Sequence, residues 1–190
     1  MKVYSALLEA FLVILPVVFA GLGFIYILHK QWFWTLRRPI DNNFTFGSRP
    51  IFGKNKTWLG VVAMSVGAGI LSLVLSLLFG YVFHVSWYAE TLRISGYGFL
   101  LGLAYSLGEL PNSFLKRRIG IAEGKTVATE PGRSLFRTID IVDSVVAVGV
   151  VAWILYDLTL LTVVSIVLLG SLIHIATDFL MYTLRLKKYQ

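Results

Sequence analysis

Long uncharged runs organise this chain. No Asp, Glu, Lys, Arg or His falls in the 19 residues from Ala10 to Leu28, the 27 from Thr57 to Phe83, or the 15 from Ile94 to Gly108. The same holds for the 13 residues from Ser144 to Tyr156 and the 16 from Leu158 to Ile173. A helix needs roughly 20 apolar residues to cross ~30 Å of hydrocarbon, so the first two runs suffice alone. Lys2 ahead of the first suggests a secretion signal, but no small-x-small cleavage site leading into a soluble domain follows, and the run reads as a retained span. The other three runs span only by taking in ionisable residues. The third must reach past Glu109 to Asn112, the fourth must include Asp143 and Asp140, and the fifth must include His174 and Asp178. The expected spans are 7–28, 57–84, 94–112, 139–156 and 158–181. They leave long connections at 29–56 and 113–138, a short one at 85–93 and a tight turn at Asp157.

Backbone groups in lipid must be satisfied internally, which allows only helices or closed barrels. These runs are continuous and not alternating, so an all-α integral membrane protein with five transmembrane helices is expected. Ser65/Gly69, Ala68/Ser72 and Ser72/Ser76 on the second span, and Gly98/Gly102 on the third, have the small-xxx-small spacing of close-packing faces. Trp32, Trp34, Trp58, Trp87 and Tyr88 flank the spans, as interfacial aromatics do. No repeat or linker divides the chain, and residues 1–190 read as one membrane-embedded domain.

Charge then sets the orientation. Net charge is +7, and only 14% of residues are charged against about 25% in soluble domains. The connection 29–56 holds Lys30, Arg37, Arg38, Arg49, Lys54 and Lys56, and the connection 113–138 holds Lys116, Arg117, Arg118, Lys125, Arg133 and Arg137. Arg185, Lys187 and Lys188 follow the last span. Five spans put these 15 of the 17 basic residues on one side, leaving Lys2 and Arg93 on the other. By the positive-inside rule the N-terminus is outside and the C-terminus and both long basic loops are cytosolic, in a multi-pass protein of the cell membrane. The charge is thus explained by a membrane, with no nucleic-acid partner. The absence of Cys excludes disulfides, thiolate nucleophiles and Cys-ligated metals.

Candidate chemistry gathers in the two loops. Gly53-Lys54-Asn55-Lys56-Thr57 crowds donors just before a helix, an arrangement suited to phosphate; topology alone also places Lys and Arg there. It is not a P-loop, because Gly47 to Gly53 is one residue too long and Asn55 stands where a Ser or Thr is needed. Glu109 closes the third span, and Asp140 and Asp143 share a face at the start of the fourth. Carboxylates with phosphate oxygens suit Mg²⁺, and the flanking cations suit phosphoryl or nucleotidyl transfer. The alternatives are a favourable helix N-terminal charge pair or an ion network with Arg133 or Arg137. His174 and Asp178, four apart, are expected to pair structurally, and Glu9 to sit at the outer interface.

These residues resemble the CDP-archaeol synthase family. The matching motifs are Arg38-Pro39-Ile40-Asp41, Gly47-Ser48-Arg49-Pro50-Ile51-Phe52-Gly53 and Lys54-Asn55-Lys56-Thr57-Trp58-x-Gly60. Gly108 to Ser113 with Phe114 and Lys116-Arg117-Arg118 is similar to the second family motif, with Glu109 where the family has Asp, and Asp140-Ile141-Val142-Asp143 to its carboxylate pair. The resemblance implies a cytidylyltransferase that uses Mg²⁺ and joins CTP to a membrane lipid phosphate of the 2,3-bis-O-geranylgeranylglycerol phosphate type, releasing pyrophosphate. It implies Glu109, Asp140 and Asp143 as metal ligands and, with Lys116, as catalytic residues. It assigns the nucleotide to Lys54, Asn55, Lys56, Thr57, Ser113, Arg117 and Arg118.

Three other classes compete. A CDP-alcohol phosphotransferase needs Gly-x-x-Ala-Arg after its second Asp and a further acidic pair, and Ser144-Val145-Val146-Ala147 supplies neither. A transporter or scramblase predicts polar residues spread through the spans, whereas here the acids cluster at one end. A non-catalytic membrane subunit predicts that Asp140 and Asp143 are dispensable.

Overall fold

The computed structural model describes residues 2–83, 88–125 and 130–184. His84, Trp87 and the cationic residues Arg185, Lys187 and Lys188 lie outside the described residues. Five long helices dominate: α1 (Lys2–His29), α2 (Trp58–Phe83), α3 (Tyr88–Arg118), α4 (Glu130–Tyr156) and α5 (Leu160–Thr183). Among the described residues, α1, α2, α4 and α5 are long and apolar enough to cross a membrane. α3 is more polar, with Ser95, Ser106 and Glu109 between its charged ends.

Consecutive helices pack side by side and α5 returns against α1, so the five form a closed ring. The tightest contact is α2 on α3, where the expected small-residue faces meet. Ser65, Ala68 and Ser72 are buried there. At Gly102 a Cβ would fall 2.1 Å from the carbonyl oxygen of Met64, so only glycine allows this backbone approach. Ser95 Oγ donates to the Gly69 carbonyl at 3.0 Å across the same seam. Where lipid tails are as apolar as leucine, this close packing and hydrogen bonding drive association. On the far side of the ring, Thr162 of α5 is fully buried and its Oγ1 donates to Glu9 of α1 at 2.9 Å.

The connections depart from expectation in two ways. α3 runs on to Arg118 and α4 starts at Glu130, so the expected loop 113–138 shrinks to 119–129 and Ser113, Lys116, Arg117, Arg118, Arg133 and Arg137 sit on helices. The charges at the ends extend these helices beyond the apolar runs. The connection after α1 is instead built up. A 3-10 turn (Trp34–Leu36) leads to a small ribbon of β1 (Thr45–Phe46) paired antiparallel with β2 (Arg49–Pro50). Gly47 and Ser48 both have φ near +60°, the two left-handed residues that a tight hairpin turn needs. This ribbon and an isolated antiparallel bridge between Pro39 and Thr57 depart from an all-α fold. At the other end of the ring, Asp157 turns left-handed (φ 49°), and Thr159 Oγ1 caps α5 by accepting the Thr162 N–H at 3.2 Å.

Candidate active site

Asp41 braces the first loop from within. Its Oδ2 accepts the Phe52 and Gly53 N–H groups at 2.9 and 3.1 Å, and its Oδ1 accepts the Asn43 N–H at 3.0 Å. Burial pushes this carboxyl up, but the three N–H donors outweigh burial and hold it below the usual carboxylate range. Two more bonds, Ile40 N–H to Lys56 O and Trp58 N–H to Arg38 O, tie the start of the loop to its end. Gly53-Lys54-Asn55-Lys56 is thereby fixed at the N-terminus of α2.

Helix α3 supplies the facing wall. Gly108 makes its crossing with α4 possible, since a Cβ there would lie 2.6 Å from Ala147 Cβ and 3.0 Å from the Asp143 carbonyl oxygen. Glu109, Asn112, Ser113, Lys116 and Arg117 then fall on one face by helical spacing. Glu109 is paired with Lys56, each side chain about a quarter exposed. Burial pushes the Lys56 ammonium down, but the Glu109 carboxylate, with Asp143 and Asp140 beyond it, raises it above its usual range. Asn112 is buried, and its Nδ2 donates to Asp140 Oδ1 at 2.6 Å and to Asp143 Oδ2 at 2.9 Å. Lys116 Nζ donates to both oxygens of Asp140. Two acids on α4 are thus gathered by an amide and an ammonium from α3.

The structure brings most of the expected residues to one cavity of about 1230 Å³ inside the ring. Lys54, Asn55, Lys56, Thr57, Glu109, Ser113, Lys116, Arg117, Asp140 and Asp143 all line it. Arg117 is also spent locally, Nη1 donating to the Ile121 carbonyl at 2.5 Å. Arg118 is turned away. It donates to the carbonyls of Phe46, Arg49 and Pro50 and lies over the Phe46 and Phe114 rings. With Arg49 reaching back to the Arg118 carbonyl, it clamps the ribbon to the end of α3. Asn112 was missed as a site residue, although its position three after Glu109 and four before Lys116 marks it on the same face. His174 and Asp178 are only loosely paired, Nε2 to Oδ1 3.9 Å.

Among the described residues no three His, Cys, Asp or Glu side chains gather closely enough to cage a metal. Glu109 is engaged by Lys56 and Asp140 by Lys116, and Asp140 and Asp143 are the two carboxylates gathered on one amide. The donor chemistry fits Mg²⁺, which takes one or two carboxylates plus substrate phosphates. Asn112 turns its Nδ2 to these carboxylates, and its Oδ1 is buried without a hydrogen-bond partner.

The cavity has two chemistries. Its mouth is cationic and carboxylate-lined, and its depth is lined by Ile14, Val17, Met64 and Val148. Comparison with known proteins points the same way. A family model described as CarS-like CDP-archaeol synthase matches residues 6–190. A CDP-archaeol synthase of Pyrobaculum aerophilum is 29% identical over 94% of this chain and 94% of its own. One from Pyrobaculum calidifontis is 32% identical over 80% of this chain and 81% of its own, and one from Natronomonas pharaonis 28% over 79% and 82%. No solved structure matches. With a match over nearly its whole length, and the family's motifs converging on one cavity, the chain belongs to the CDP-archaeol synthase family.

Proposed function

We propose that this chain transfers the cytidylyl group of CTP to an archaeal lipid phosphate, forming a CDP-lipid and pyrophosphate. The observation that carries the reading is a cavity with a cationic, carboxylate-lined mouth and an apolar depth, in a chain of this family. CTP and an amphiphilic phosphate need both.

Lys54, Asn55, Lys56 and Arg117 bind the triphosphate at the mouth. Lys116 and the Asp140–Asp143 pair face the reacting phosphates. The lipid phosphate oxygen attacks the α-phosphorus, a new P–O bond forms, and the bond to the β-phosphate oxygen breaks with pyrophosphate leaving. No protein nucleophile is needed, consistent with a chain without cysteine. Mg²⁺ would be held by Asp140 and Asp143 with substrate phosphate oxygens, and would supply neutralisation of phosphate charge and polarisation of the reacting P–O bond. Fixed cations and donors aimed at developing charge supply the remaining stabilisation.

The five helices are read as five spans, with the N-terminus outside and the cavity mouth in the cytosol. The sidedness of Lys and Arg supports this orientation, and CTP is cytosolic. The test is CDP-lipid formation by the purified protein in detergent with CTP, Mg²⁺ and a panel of ether-linked and ester-linked lipid phosphates. Product that vanishes in Asp143→Asn is expected. A folded protein that neither binds CTP nor makes product from any lipid phosphate would sink the reading.

A further inference from the structure

One polar pair inside the ring has no part in the chemistry above. Tyr105 of α3 and His174 of α5 both line the cavity. These helices are not neighbours in the ring, yet the two side chains reach each other across it. Tyr105 Oη lies 3.4 Å from His174 Nδ1, and the rings stack with centroids 6.2 Å apart and 29° between planes.

Their depth is informative. Tyr105 lies four residues before Glu109 on α3, and His174 four before Asp178 on α5, each about 6 Å further from the mouth. Past them the lining turns to Gly170, Val148, Val17 and Ile14. The pair therefore marks the boundary between the phosphate-binding mouth and the apolar depth. A neutral imidazole and a phenol carry two polar hydrogens, and their mutual contact uses one. Ser144 is the phenol's other hydrogen-bonding neighbour, so the hydrogen left over is the imidazole Nε2–H, with the phenol donating to Nδ1. His174 Nε2, at 3.9 Å from Asp178 Oδ1, is too distant for a hydrogen bond.

Resting on the transferase reading, we propose that Tyr105 and His174 are the positioning residues for the glycerol backbone of the lipid phosphate, donating a hydrogen bond to its linkage oxygen. A lipid phosphate has the same order of polarity as the cavity: a charged phosphate, then acceptor-only glycerol oxygens, then apolar chains. Seating those oxygens on the pair sets how far the phosphate projects toward Asp140 and Asp143. An acceptor with phosphate and chain but no glycerol gains nothing from the pair.

The test uses the full chain in detergent, with Tyr105→Phe and His174→Leu as independent variants and His174→Gln, which keeps an N–H donor, as the rescue. A glycerol diether phosphate is the substrate. An isoprenyl monophosphate, which lacks glycerol, is the competing inhibitor. The expected result is a rise of about five- to tenfold in KM for the diether phosphate, the loss of one hydrogen bond. The KM for CTP and the Ki of the isoprenyl phosphate stay at the unmodified values, and His174→Gln recovers most of the loss. An unchanged KM, or equal weakening of both lipids, overturns the assignment. An unmodified protein that turns over no lipid phosphate overturns the transferase reading beneath it.

Discussion

The ammonium of Lys56, at the end of the loop after α1, is bonded to the carboxylate of Glu109 on α3. This pair joins the motif before α2 to the motif on α3, 53 residues apart, into one wall. Removing either partner leaves a partly buried charge uncompensated, while the quarter exposure of both side chains limits the penalty. Glu109→Gln and Lys56→Met should each lower stability by about 1–2 kcal/mol, and the double variant by less than their sum. A double-mutant cycle on thermal unfolding in detergent checks this, and strict additivity would show that the pair is incidental. Lys56→Met should also raise the KM for CTP.

Asn112 predicts a different signature. It holds Asp140 and Asp143 together through one amide group. In Asn112→Leu the two carboxylates lose their shared donor, so turnover should fall by about 10²-fold. The Mg²⁺ concentration giving half-maximal rate should rise, because the pair is no longer preset. Asp143→Asn should lose turnover at every Mg²⁺ concentration. A titration of rate against Mg²⁺ separates the two, and an Asn112→Leu curve of unchanged midpoint would leave Asn112 with a purely structural role.

The five helices were legible because each rests on an uncharged run, and the α2–α3 seam because small residues recur at helical spacing. The helix ends were not. Hydrophobicity stops at Asn112 and starts again near Ile139, but Lys116-Arg117-Arg118 continues α3 as the favourable cationic end of its dipole. Periodicity also says nothing of a two-residue ribbon, which depends on the left-handed pair Gly47 and Ser48. For the site, Lys and Arg looked equivalent in sequence. Only in three dimensions does Arg118 part from Lys116: two residues apart on a helix, their side chains point about 200° apart, one to the Asp140 carboxylate and the other to the ribbon carbonyls. Tyr105 and His174, 69 residues apart, carried no signal that they meet.

Gly108 tests whether the α3–α4 crossing sets the site. A methyl group there would press on Ala147 Cβ at 2.6 Å and come within 3.1 Å of Ser144 Cα. The helices must separate, drawing Asn112 and Lys116 away from Asp140 and Asp143. Gly108→Ala should cost about 1–3 kcal/mol of stability and lower turnover more than Gly96→Ala, where nothing lies within 4 Å. Thermal unfolding and CDP-lipid formation, measured on both variants, decide it. Equal behaviour of the two would mean that the crossing tolerates expansion.

Asp41 makes the first loop sensitive to acid. Its folded carboxyl is held below the usual value by the N–H groups of Phe52, Gly53 and Asn43. A group with a depressed folded pKa contributes stability that is fully present above its unfolded pKa, about 3.9, and is lost as pH falls through the lower folded value. The loop should therefore be fully braced at neutral pH and loosen only below about pH 4. Asp41→Asn keeps the size but replaces one acceptor oxygen by an amide, which cannot accept from all three N–H groups. At neutral pH it should lower stability by about 1–3 kcal/mol and raise the KM for CTP, since Lys54 and Asn55 ride on the same loop. As pH falls below about 4, the difference from the unmodified chain should shrink, because protonation weakens the same acceptor. Amide hydrogen exchange of Phe52 and Gly53 in both proteins, followed from about pH 6 down to about pH 3 after correction for intrinsic rates, reads this directly. Protection lost by the unmodified chain alone at the acid end supports the brace, and parallel curves would show that the loop is held by its backbone bonds without Asp41.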